Sequence, residues 1–87
     1  MIKGVTRSGF EFEFDPNIAD DMEFFEALCD IDAGDMTAVV PVVRKMLGKQ
    51  KKALYDHLRT EDGRVPVEKV TEEIKDIFSA LDDGKKS

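Results

Sequence analysis

The hydrophobic positions of this chain change their period within the first fifteen residues. Phe10, Phe12 and Phe14 alternate with Glu11 and Glu13, the period-2 pattern of a strand with one face buried. Ile2 to Thr6 supplies a second short run. Arg7-Ser8-Gly9 separates the two, and a glycine there supplies the positive φ that short hairpin loops require. A lone two-stranded ribbon is marginal in water. The phenylalanine face therefore has to be covered by helices or by another chain.

Beyond Asp15-Pro16-Asn17, which breaks the strand, the spacing becomes helical. Asp20 followed by Glu23 resembles a capping box that opens a helix running to about Ala33, with Gly34 placed to stop it. Phe24, Phe25, Leu28 and Ile31 form its apolar stripe. Asp35 or Thr37 caps a second helix that ends at Leu47 before Gly48. Pro41 lies inside this segment, so either the helix starts late, with Pro41 in its first turn, or it bends there. Met36, Ala38, Val39, Val40, Val42, Val43, Met46 and Leu47 make it apolar on more than one face, as expected of a central helix or of one that exposes a binding surface. A third helix is predicted from about Lys49 to Arg59, with Leu54, Tyr55 and Leu58 inward and lysines outward. After a loop over Thr60 to Arg64, Val65 is placed to staple against Val70 as a fourth helix begins near Pro66. Val67, Val70, Ile74, Ile77, Phe78 and Leu81 keep helical spacing along it. The predicted class is α+β, mainly α: an N-terminal β-hairpin over residues 1–14, then about four short helices in a compact bundle. Residues 1–82 make a single domain and 83–87 a polar flexible tail.

Size restricts what such a domain can do. At 87 residues, folding buries roughly 60–65% of the surface the unfolded chain exposes. That is enough for one modest core, and an enclosed active-site cleft would compete with it for the same apolar side chains. The net charge of −6 disfavours nucleic acid and anionic membranes, both of which call for a clustered excess of Lys and Arg. No apolar run approaches the ~20 residues of a membrane span. The start of the chain lacks the apolar core of a signal peptide, and the single cysteine, Cys29, suits a reducing compartment. A cytoplasmic location is expected.

The distribution of charge says more than the total. Between Ser8 and Val43 there is no Lys or Arg, but there are ten acids: Glu11, Glu13, Asp15, Asp20, Asp21, Glu23, Glu26, Asp30, Asp32 and Asp35. From Arg44 to Arg59 the sign reverses, with six bases against Asp56 alone. Opposed blocks of this kind can pair within a molecule or between neighbouring copies.

Candidate chemistry thins out on inspection. Asp30-Ile31-Asp32-Ala33-Gly34-Asp35 has alternating carboxylates, but in a calcium loop begun at Asp30 the glycine and the following acid fall in the wrong order, and Pro41 takes the place of the bidentate Glu. Aligning Gly63 with the loop glycine puts Leu58 first and Lys69 last, which fails too. Cys29 and His57 form a possible Cys–His pair but lack an orienting third group. Asp20-Asp21 and Glu72-Glu73 are adjacent acids that face different directions. No Gly-rich phosphate loop is present. No catalytic, cofactor or metal residues are assigned. What remains is apolar surface: Phe10, Phe12 and Phe14 on the strand, and Val39, Val40, Val43 and Met46 on the second helix, are candidate protein-binding residues. Core packing is the competing reading of each.

The order of segments also carries a resemblance. Thr6-Arg7-Ser8-Gly9-Phe10-Glu11-Phe12-Glu13 is followed by Asp20-Asp21-Met22-Glu23, Asp32-Ala33-Gly34-Asp35 and Met46-Leu47-Gly48. Leu54-Tyr55-Asp56-His57-Leu58-Arg59 and Asp62-Gly63-Arg64-Val65-Pro66-Val67-Glu68 close the series. Together, over nearly the whole chain, these segments resemble the small tail assembly chaperones of long-tailed phages and prophages of Gram-positive bacteria, although no single motif is diagnostic. The resemblance implies a non-enzymatic protein of the bacterial cytoplasm that coats the tape measure protein, helps recruit tail tube protein, and is absent from the mature virion; the opposed charge blocks could set neighbouring copies side by side in self-association. It also implies a longer frameshifted form, with which Gly84-Lys85-Lys86 is compatible. The alternatives are a structural tail or head–tail component that stays in the particle, or another small cytoplasmic protein-binding module.

Overall fold

The hairpin turn sets the register of everything that follows. Thr6 N–H donates to Phe10 O at 2.9 Å and Gly9 N–H donates to Thr6 O at 2.9 Å, while Gly9 takes φ +93°, the left-handed conformation that closes a three-residue loop. In the computed structural model, which describes residues 1–86 and side chains through Ala80, β1 (Ile2–Val5) and β2 (Glu11–Phe14) pair antiparallel. Ile2 faces Phe14, Lys3 faces Glu13, Gly4 faces Phe12 and Val5 faces Glu11. Because Thr6 and Phe10 are hydrogen-bonded across the turn, alternation turns the backbone groups of Lys3, Val5, Glu11 and Glu13 outward from the pair. Glu13 finds an unexpected partner there. Its N–H donates to Gln50 Oε1 at 3.0 Å and its carbonyl accepts from Gln50 Nε2, so one side-chain amide stands where a third strand would lie.

A 3-10 turn, Pro16–Asp20, capped by the Asp15 side chain, leads into α1 (Met22–Asp32). The cap of α1 is Asp21, not Asp20. Asp20 ends the 3-10 turn, whereas Asp21 has the extended backbone a cap needs, and its carboxylate accepts from Glu23 N–H at 2.9 Å and Phe24 N–H at 3.3 Å. Gly34 ends the helix as expected. At φ +102° it donates to Ile31 O while Asp35 N–H reaches Asp30 O, the paired bonds of a Schellman stop.

Pro41 falls in the first turn of α2 (Val39–Leu47), where its missing N–H costs nothing, and a 3-10 turn, Met36–Ala38, precedes the helix under an Asp35 cap. The third helix begins later than the spacing predicts. Gly48–Gln50 form a 3-10 turn and α3 covers Lys51–Leu58. The loop Thr60–Arg64 closes on Thr60 N–H to Arg64 O, 2.8 Å, and α4 follows, Val67–Lys86. α4 is longer than expected, covering most of the segment read as a tail, since a lone Gly84 costs a helix about 1 kcal/mol and does not by itself end it. Ser87 lies outside the described residues.

The result is the α+β, mainly α architecture the patterning predicts. The hairpin lies over α2 and α4, α1 packs on α2, and α3 packs on α4. Phe14, Phe24, Val42, Val43, Leu54, Ile74 and Ile77 are the most completely buried large side chains, each stabilising the fold by about 1.5–3 kcal/mol. Phe10, Phe12, Ile31, Ala38, Val39, Met46, Leu47 and Val70 complete the cluster, with Val65 packed against it. Phe25 and Val67 leave their expected stripes and are exposed. Phe25 lies at the margin of the face that Phe24, Leu28 and Ile31 define, about 120° around α1 from Ile31, and turns to solvent.

Gly4 sits under the ring of Phe12, where an added Cβ meets Phe12 Cζ at 2.8 Å. The buried ring has to shift to make room, so Gly4→Ala is expected to destabilise the protein by about 1–3 kcal/mol in urea denaturation. Gly9→Ala has open space around it and is penalised only by backbone strain, by about 1–2 kcal/mol.

Candidate functional site

The candidate binding residues do not form one surface. Phe10, Phe12, Phe14, Val39, Val43 and Met46 are all buried in the chain's own core, and Val40 alone of the set is exposed. The period-2 and helical patterns identified these positions as apolar faces without showing what covers them. Here the cover is internal: the strand face meets α2 and α4. A partner reaches those six residues only if the fold opens.

The surface carries other apolar side chains. On α1, Met22 is 71% exposed and Phe25 52% exposed, with Cys29 exposed beside them. These three are spaced i, i+3, i+7 and share one side of the helix. Phe24, Leu28 and Ile31 hold the core side, and Glu23, Glu26 and Asp30 form a parallel acidic row.

The most connected polar cluster lies where the hairpin turn meets α3 and α4. The carboxylate of Glu73, a buried residue, accepts from Thr6 Oγ1 at 2.9 Å and from Ser8 Oγ at 2.5 Å. His57 Nε2 sits 3.1 Å from Ser8 Oγ and 3.0 Å from Ser8 O, and its ring tilts against Phe10 at 5.8 Å. Asp76 receives the Arg7 N–H at 2.7 Å and pairs with the Arg7 guanidinium at 3.5 Å. An open groove of about 600 Å³ runs alongside, lined by Arg7, Ser8, Leu58, Lys69, Glu73 and Asp76 among others.

Ser8, His57 and Glu73 are the residue types of a nucleophilic triad in the wrong connectivity. A nucleophilic hydroxyl donates to the imidazole, and the carboxylate orients the imidazole from its other nitrogen. Here the Ser8 hydroxyl donates to Glu73 instead, and the nearby Ser8 carbonyl can only accept, which places a hydrogen on His57 Nε2. The cluster ties the hairpin to two helices. It also occupies the imidazole that a Cys29–His57 pair would need as a base.

Among the described residues the opposed charge blocks meet in one ion pair, where Lys45 Nζ lies 3.0 Å from Asp21 Oδ2. The Lys45 ammonium, then the Phe24 N–H, hold the Asp21 carboxyl below its usual value. In the loop before α4, Asp62 is lowered in the same way by Thr60 and Arg64, so this carboxylate staples a turn. Among the described residues no three His, Cys, Asp or Glu side chains converge on a metal position, and no helix is long and apolar enough to cross a membrane. No family model matches the chain, and no curated protein or solved structure matches it either.

Two outcomes follow from this geometry. Glu73→Ala, which leaves the Thr6 and Ser8 hydroxyls without their acceptor, is expected to destabilise by about 1–3 kcal/mol in chemical denaturation, and Glu73→Gln, which keeps an acceptor oxygen, by less. Asp21 is depressed in the folded state, so its contribution is present above the ordinary aspartate value of 3.8 and lost as pH falls through the lower folded value. Asp21→Asn is accordingly expected to lower the melting temperature near neutral pH, with the difference from the parent shrinking as pH drops below that range.

Proposed function

We propose that this chain is a non-enzymatic phage tail assembly chaperone that binds the tape measure protein during tail morphogenesis. The order of segments from Thr6-Arg7-Ser8-Gly9 to Asp62-Gly63-Arg64-Val65-Pro66 supports the reading through its resemblance to that family. The observation that carries it physically is the apolar stripe of α1. Met22 and Phe25 stay in water although a closed core lies beneath them, and large apolar side chains grouped on one helix side mark an interaction surface. A chaperone for a long helical client needs such a surface. It must hold the client's apolar face out of water and later release it.

In this reading the protein works in the cytoplasm of the bacterial host, helps bring tail tube protein to the coated client, and leaves before the virion is complete. A longer frameshifted form of the chain is a further partner. Ser8, His57 and Glu73 serve as a structural tie.

The test is co-expression with a fragment of a phage tape measure protein. The fragment is expected to move from the insoluble to the soluble fraction and to co-elute with the chain in size-exclusion chromatography, and purified virions are expected to lack the chain by mass spectrometry. A fragment that stays as insoluble as before and never co-elutes rules the proposal out.

A further inference from the structure

α1 carries three parallel rows, and only one of them is used by the fold. Phe24, Leu28 and Ile31 pack inward, while Met22, Phe25 and Cys29, and beside them Glu23, Glu26 and Asp30, face solvent. The acidic row is unusual in being uncompensated. Glu23 and Glu26 are three residues apart and Glu26 and Asp30 four, spacings at which like charges on a helix repel. No Lys or Arg occurs between Ser8 and Val43; Lys45 is taken by Asp21 at the helix cap, and Lys75 of α4 lies on another side of α1, beside Leu28, Ile31 and Asp32. Among the described residues none of the three carboxylates has an ion-pair partner.

We infer that this side of α1 docks a basic amphipathic helix of a partner protein, whose apolar residues cover Met22 and Phe25 while its Lys and Arg side chains lie along Glu23, Glu26 and Asp30. The inference names the chemistry of the partner for the binding role proposed above and rests on that reading. Met22 to Cys29 spans about 10 Å of helix axis, so two turns of the partner, with anchors at i, i+3 or i+4, and i+7, match the stripe in length. The charge row fixes the partner's sign. An acidic helix with the same apolar face would add repulsion to an already repulsive surface, and an anionic membrane is disfavoured on the same ground. A second copy of α1 is excluded as occupant because it is as acidic as the first.

The probe is a pair of synthetic amphipathic peptides of about 18 residues, enough for a docked helix, with one apolar face in common and with Lys or Glu on the flank. Binding to the full chain is followed by titration calorimetry and by backbone amide shifts. The Lys peptide is expected to bind, to shift amides over residues 22–32, and to weaken at least about tenfold between low and high salt. The Glu peptide is expected to bind at least about tenfold more weakly. Phe25→Asp, and separately Glu23→Gln with Glu26→Gln, should each weaken the Lys peptide several-fold while keeping the parent's melting temperature, since these side chains are exposed. Equal binding of the two peptides, no binding of either, shifts located elsewhere, or full affinity in both variants overturns the inference.

The tape measure fragment separates this inference from the reading it rests on. Co-elution that survives Phe25→Asp unchanged removes this surface and leaves the chaperone proposal standing. A Lys peptide that docks on α1 with a fragment that does not co-elute leaves the surface standing and removes the proposed client.

Discussion

A two-stranded ribbon with three phenylalanines on one face has no stable existence in water, and the rest of this molecule is arranged around that constraint. Phe10, Phe12 and Phe14 are all buried, with α2 and α4 as their cover. The ribbon is joined to the helices by more than apolar contact. Glu73 reaches the turn through Thr6 and Ser8, His57 reaches it from α3, and Gln50 holds the outer edge of β2 at Glu13. These polar ties sit where the phenylalanine face ends, so the hairpin is fixed at its turn and along its edge as well as through its rings. In a chain this short, where one core supplies most of the stability, such directional bonds give the hairpin a single orientation.

Much of this was legible in the residues, and the reasons differ by element. The hairpin was readable because alternation and a loop glycine agree, and the stop at Gly34 because a helix end needs a left-handed residue where only glycine is free of penalty. Pro41 was readable as a choice between two geometries, and the helix starts late enough to accommodate it. The misplacement of the α1 cap by one residue came from Asp20 and Asp21 being chemically identical, since only the preceding 3-10 turn decides which has extended backbone. The binding residues were the least legible. An apolar face predicts burial and is silent about whether the cover belongs to the same chain, so the phenylalanine strand and the valine helix could be read as core or as docking surface, and all their named residues except Val40 are core. Phe25 was the reverse case, an apolar residue counted as core that faces water. The Glu73 and Gln50 ties join residues 37 to 67 positions apart in the chain, and no local pattern announces them.

The charge blocks have a similarly divided role. Their meeting at Asp21 and Lys45 joins the start of α1 to α2, but exposed pairs of this kind contribute little to stability. Glu23, Glu26 and Asp30 of the acidic block remain solvated on the outer face of α1, and their effect lies in what they attract and repel at a distance of about a Debye length.

The Gln50 amide on Glu13 also bears on how many molecules can join through their sheets. A sheet with two free borders can add neighbours on both sides without limit, which is how strands build fibres. One border here is plugged by a side chain of the same molecule, and the other carries Lys3. Growth through backbone pairing on the remaining border alone would stop at two molecules, because a single self-matching border has a twofold relation and no second site from which to continue. The chain is protected by this from polymerising through its own hairpin.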